Sequence, residues 1–244
     1  MKATCYNTLM KIQTIQDYNN LINLLRSKSD GVDYINFQKK IINTQKEIIG
    51  VRTPVLRKIA KSIDKNNFAL LTFGDNKIYE EVLIKGFFIA KQSDFVLATS
   101  MLDDLLPQFD TWAETDTICC DLNFVKKHKQ SSYNYFANLT KSNSQFVCRF
   151  GIVCLMKYFI TNDFYPLITL LNDIKCDKYY VNMAISWLLC EILVKNPQNT
   201  VSIMKTIINN YNFSNFVINK AIQKATESFR LDTISKTELR KLKK

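Results

Sequence analysis

The sequence has little of what sheet-rich folds spend on turns. It carries five Gly and four Pro in 244 residues, and hairpins and sandwich corners need both. Residues 108–150 and 167–196 contain neither, and each stretch can hold several helices. Histidine is almost missing: His128 stands alone, and no Cys-x-x-Cys pair occurs. A zinc centre or a Cys–His nucleophile is therefore not expected, and the chain is read as free of metal and cofactor. The seven cysteines are Cys5, Cys119, Cys120, Cys148, Cys154, Cys176 and Cys190. They are odd in number and mostly lie in apolar runs, the pattern of reduced core thiols in a cytoplasmic protein. No apolar run approaches the ~20 residues that cross a bilayer. The first residues, Met1 to Asn7, lack the apolar centre of a secretory signal. Membrane insertion and secretion are not expected.

What the sequence does have is apolar content and positive charge. Hydrophobic residues make up 47%, enough for a large core. The formal charge is +11 and the pI about 9.2. That balance favours a polyanionic partner, nucleic acid first and an acidic membrane surface second. A merely soluble basic protein is the plain alternative. The wealth of Asn, Lys and Ile points to an AT-rich genome, bacterial by expectation.

Apolar spacing over residues 5–28, at Leu9, Ile12, Ile15, Leu21, Leu24 and Leu25, predicts an amphipathic helix. It belongs to an N-terminal helical extension, residues 1–34. A second helix is predicted over 35–47, ending near Gly50. Thr53 then reads as an N-cap with Pro54 at the first helical position. Beyond residue 78 a loose repeat emerges. Segments 79–91, 145–160, 179–195 and 217–230 look alike, and 111–122 fits between the first two. Arg149, Met183 and Lys220 take matching places, 34 and 37 residues apart. That period fits one helix pair per repeat, as in HEAT-like solenoids; an irregular helical bundle is the alternative. The expectation is one domain over 1–244, with a charged tail at 236–244 that frays.

Trp112 and Asp116 stand four residues apart in Phe109-Asp110-Thr111-Trp112-Ala113-Glu114-Thr115-Asp116. Such a pair shares one helix face. It sets a π-face beside a carboxylate, which suits a positively charged centre. A tryptophan on an amphipathic helix is also common core packing, and Trp187 lies in the apolar run Ala184 to Leu189. Arg149 and Lys157 are eight residues apart, about two turns. An Arg within Cys148-Arg149-Phe150 needs a partner, whether a phosphate or an acid such as Asp116.

Several segments together resemble the AlkD-type DNA alkylation repair glycosylases. Gly50-Val51-Arg52-Thr53-Pro54 with Arg57-Lys58 is similar to their G-[IV]-x-T-P segment. Trp112-x-x-x-Asp116 resembles their active-site pair, and Arg149 with Lys157 their R-x(7)-K helix. Ala184-Ile185-Ser186-Trp187 resembles the second tryptophan segment, and Lys220 to Lys224 the C-terminal basic helix. The resemblance runs from about residue 35 to 230. It implies an all-α fold, a right-handed superhelical solenoid of HEAT-like helix pairs with a basic concave groove for duplex DNA. It implies hydrolysis of the N-glycosidic bond of N3- or N7-alkylated purines by a monomer. Asp116, Trp112 and Trp187 would be catalytic; Arg149, Lys157, Arg52, Lys220 and Lys224 would bind DNA. Three positions depart from the family pattern: Cys190 stands where an arginine is common, Arg52 where a glutamine is frequent, and Ile41 and Ile42 near an expected aromatic. A non-catalytic binder of damaged or branched DNA and a protein-interaction scaffold remain the alternatives.

Overall fold

The structure is a computed structural model that describes residues 9–244. Among these residues there are thirteen α-helices and no strand. Two isolated bridges, Met10 with Ile63 and Glu47 with Ile78, are the only extended pairings described. The expected all-α class holds. The chain divides into two compact units, Met1–His128 and Lys129–Lys244.

The first unit holds α1 (Ile15–Ser27), α2 (Val32–Ile41), α3 (Thr53–Ser62), α4 (Tyr79–Ala90), α5 (Phe95–Leu105) and α6 (Trp112–Ile118). The helix expected over 5–28 begins only at Ile15, because Thr14 caps it. Thr14 Oγ1 accepts from the Asp17 N–H at 3.1 Å, and the Asp17 carboxylate accepts from the Thr14 N–H at 3.0 Å. The chain before Thr14 instead pairs with the end of α3: Met10 N–H donates to Ser62 O and Asp64 N–H to Met10 O. Residues 5–8 of that expectation, Cys5 included, lie outside the described residues. The second helix runs 32–41 rather than 35–47, and residues 42–47 form an irregular connector. Those connector residues are engaged by α6, as described below.

Pro54 falls in the first turn of α3, with Arg52 rather than Thr53 at the N-cap position. The turn before it is fixed by a buried acid. Glu80, fully buried at the start of α4, accepts from the N–H groups of Ile49, Gly50 and Val51 at 2.9, 2.7 and 3.2 Å. Burial raises the Glu80 carboxyl above its ordinary value, against the pull of those three donors. Gly50 has φ +88°, and a Cβ there would meet Ile35 Cγ1 at 2.5 Å. Glycine is required on both counts.

Every residue of α4 is buried. It packs against α3, α5 and α6 and forms the centre of the unit. At Gly86 a Cβ would meet Ile118 Cδ1 at 2.2 Å, so glycine permits the close approach of α6 to α4. A buried charge pair also lies in this helix. Lys85 Nζ is 2.7 Å from Glu81 Oε1, and both side chains are 2% exposed. The other two ammonium protons go to Phe73 O and Asn76 Oδ1, each at 2.7 Å.

The second unit holds α7 (Lys129–Leu139), α8 (Gln145–Phe159), α9 (Tyr165–Asn172), α10 (Tyr179–Lys195), α11 (Thr200–Asn210), α12 (Asn215–Glu227) and α13 (Thr233–Lys241). Helix α7 packs on α8, α8 on α10, and α10 on α12, while α13 closes on α11 and α12. The similar segments of the sequence are thus all helices, and α8, α10 and α12 are successive neighbours. Of the charged C-terminal stretch 236–244, the part up to Lys241 is helical. Asp232 caps it through the Ser235 N–H at 2.8 Å, and Leu239 is fully buried.

The Lys85–Glu81 pair generates a stability prediction. Lys85→Met leaves Glu81 buried and unpaired and should cost about 3–5 kcal/mol in urea unfolding. Adding Glu81→Leu should recover most of that loss; a single variant as stable as wild type would contradict the assignment.

Candidate functional site

Helix α6 is only seven residues long, and its start is defined by a capping box. Thr111 Oγ1 accepts from Ala113 N–H, while Glu114 Oε2 accepts from the N–H groups of Asp110 and Thr111 at 2.9 and 3.3 Å. Trp112 and Asp116 therefore share one face of this helix, as the spacing predicts. Both are half-buried. Trp112 Nε1 donates to Ile41 O, the last residue of α2, at 3.2 Å, which sets the indole plane. Thr115 Oγ1 lies 2.8 Å from Asp116 Oδ1 and 2.7 Å from Trp112 O. Its single proton serves one of them at a time.

Three connector residues, Thr44, Gln45 and Lys46, hold the start of this helix in place. Lys46 Nζ reaches Asp110 Oδ1 at 2.8 Å, Glu114 Oε1 at 3.0 Å and Gln108 O at 2.7 Å, with its side chain 7% exposed. Thr44 Oγ1 and the Gln45 N–H add bonds to Asp110 at 2.7 and 2.9 Å. One ammonium lowers both carboxyls, and their unequal burial splits their acidities. Burial raises the fully buried Glu114 carboxyl to about 7, opposed by Lys46 and the Asp110 N–H. Asp110 is less enclosed. Its bonds to Lys46, Thr44 and Gln45 outweigh its own desolvation and lower its carboxyl.

The far end of α6 is held by α3. Arg57 forms an ion pair with Asp121, donates to Thr117 O at 3.2 Å, and lies 4.6 Å over the Phe87 ring. The Thr-Pro segment thus serves α6 through Arg57. Arg52, by contrast, is exposed. It pairs with Asp30 at 2.5 Å and stacks 4.5 Å over the Tyr34 ring. An exposed pair of this kind contributes little, and an anion can displace the acid.

In the second unit, Arg149 and Lys157 share α8 but not an environment. Arg149 is 6% exposed and donates to Tyr180 O at 2.8 Å. Lys157 is exposed in the last turn. Trp187 is half-buried in the middle of α10, and Lys220 and Lys224 are half-buried on α12, the next helix. Lys220 Nζ holds Gln223 Oε1 at 3.1 Å. Cys190, where the resembled pattern has an arginine, is 5% exposed and faces the α12 side.

The positioning residues Lys46, Asp110 and Glu114 are not among those the sequence singles out, and Arg57 enters there only as part of the Thr-Pro segment. The Thr111-x-x-Glu114 spacing carries a capping-box signal. Lys46 carries none, because 66 residues separate Thr44 from Asp110. The Glu114 shift fixes a pH dependence. A carboxyl raised on folding contributes stability that is complete below its unfolded value near 4.5 and is lost as pH rises to about 7. Relative to Glu114→Gln, which keeps the capping box, wild type should lose unfolding free energy between those limits. Parallel stability–pH curves for the two proteins would remove Glu114 from that role.

Compared with protein-family models, residues 22–225 match the DNA alkylation repair enzymes. No curated protein and no solved structure matches the chain. The matched span runs from within α1 to the last turn of α12 and takes in every residue of the candidate site. The chain belongs to the family of DNA alkylation repair enzymes.

Proposed function

We propose that this protein is a glycosylase that hydrolyses the N-glycosidic bond of cationic N3- or N7-alkylated purines in duplex DNA. One observation carries the reading: Trp112 and Asp116 share a face of a short helix, both half-buried, the indole oriented by its N–H bond to the Ile41 carbonyl and the carboxylate by Thr115. The family supplies the DNA repair setting. The solenoid with a basic concave groove belongs to the same proposal; what supports it is the run of neighbouring helices α8, α10 and α12 bearing Lys157, Trp187, Lys220 and Lys224.

The chemistry suits such a site. An alkylated purine already carries positive charge. When its C1′–N bond breaks, both electrons leave with the nitrogen and the base departs neutral, so a general acid has little to add. The deficit falls on the sugar, which becomes oxocarbenium-like. Asp116 stabilises that cation and orients the water whose oxygen joins C1′ and whose proton is released. A preorganised carboxylate there is worth ~3–4 kcal/mol. Trp112 and Trp187 offer π-faces to the cationic nucleotide, on the order of 0.5–2 kcal/mol each. Lys157, Lys220, Lys224 and Arg52 hold phosphates, which position the duplex without reading sequence. Arg149, nearly enclosed, acts from behind that surface by holding the start of α10 through Tyr180.

Asp116→Asn should lower release of 7-methylguanine from methylated duplex by at least ~100-fold while duplex affinity stays nearly unchanged. Base release by chromatography and fluorescence anisotropy measure the two. Equal turnover would remove Asp116 from the mechanism. Duplex binding by both proteins with no release from either would favour the non-catalytic DNA binder.

A further inference from the structure

Phe229 is 94% exposed, the most exposed large hydrophobic residue described. Single exposed apolar side chains are common and by themselves mean nothing. This one differs in how it is held. It sits in the short loop between α12 and α13, and the residues beside it are fixed. Ser228 Oγ accepts from the Arg230 N–H at 3.2 Å. The Arg230 guanidinium meets both oxygens of Glu191 on α10, at 3.1 and 3.3 Å. Leu231 is buried, and Asp232 caps α13 through Ser235. The ring is thus presented on a braced turn, where it can be removed from water by a partner.

The surroundings specify a partner. Glu191 lies one helical turn beyond Trp187 on α10, so the loop is tied next to that tryptophan's stretch of helix. Burial pushes the Cys190 thiol up to about 12, and Glu191, Glu227, Lys224 and Arg230 also act on its sulfur, so two acids and two cations lie near this part of α10. From Lys220 to Lys244 there are eight Lys or Arg against three Asp or Glu. An exposed ring set in a basic surface fits a polyanion with apolar faces inside its charged rim. Duplex DNA has that construction: phosphates outside, sugar edges and base faces within the groove.

We infer that Phe229 is an apolar wedge that enters the minor groove of duplex DNA while Lys220 and Lys224 hold the flanking phosphates. Side chains of this type part a base step, and the contact is indifferent to sequence. The inference rests on the proposed binding of duplex by the second unit, and it adds a contact that no phosphate interaction supplies.

The test uses the full chain and a duplex with one 7-methylguanine, with 2-aminopurine placed at successive flanking positions. Phe229→Ala should weaken binding about tenfold and leave the slope of log affinity against log salt unchanged, because no phosphate contact is lost. Lys220→Glu should instead lower that slope by about one ion and weaken all duplexes alike. Wild type should brighten 2-aminopurine at one position, and Phe229→Ala should not. The thermal midpoint should not move, since the ring makes no contact in the free protein. Wild-type affinity and 2-aminopurine emission in Phe229→Ala would overturn the wedge and leave DNA binding intact. A wild-type dimer lost in Phe229→Ala, with DNA affinity unchanged, would assign the ring to self-association instead. No duplex binding by wild type at low salt would overturn both the wedge and the proposed function.

Discussion

The Lys46 ammonium, enclosed with Asp110 and Glu114, is the contact on which the placement of α6 depends. A seven-residue helix has too few internal bonds to persist alone. This one is held at its start by a lysine from a distant connector and at its end by Arg57. Between those anchors stand Trp112 and Asp116. The connector meets this need by abandoning helical structure after Ile41, which frees Thr44, Gln45 and Lys46 for Asp110 and leaves the Ile41 carbonyl for the indole N–H.

The same logic recurs inside α4. Glu80 gives its oxygens to three backbone N–H groups and so fixes the turn that launches α3; Arg57 of α3 then braces α6. Glu81 and Lys85 tie the chain at Phe73 and Asn76 to the core. Burying these charges is costly, and the cost is offset by the hydrogen bonds and the ion pair they make. A first unit built around enclosed acids thus presents one acid, Asp116, on a half-buried face. Placing a carboxylate where positive charge develops requires this kind of rigid support, since a carboxylate free to move would lose most of its electrostatic value.

Much of the fold is legible in the sequence because the signals are local. The scarcity of Gly and Pro, the 3.6-residue spacing and the similar segments after residue 78 identify helices, and the structure has helices in all five places. The Trp112–Asp116 face follows from spacing alone. The first helices were less legible. Thr14 and its capping box with Asp17 override the apolar spacing that begins at Leu9, and α2 stops early because α6 claims its connector. Arg149 shows the other limit. Its apolar neighbours signal burial, and one acceptor it meets is the Tyr180 carbonyl, 31 residues away. Lys46 is indistinguishable in sequence from the solvated lysines around it, and only the folded chain shows that it is enclosed.

The central claim is that the site recognises positive charge on the damaged nucleotide. The most direct measurement compares base release by the full chain from two duplexes of the same sequence. One carries 7-methylguanine, which is cationic; the other carries hypoxanthine, a neutral modified purine. The account predicts release of 7-methylguanine with an abasic strand as co-product, and no release of hypoxanthine above the uncatalysed rate. Release of both bases at similar rates, or of hypoxanthine alone, would contradict it.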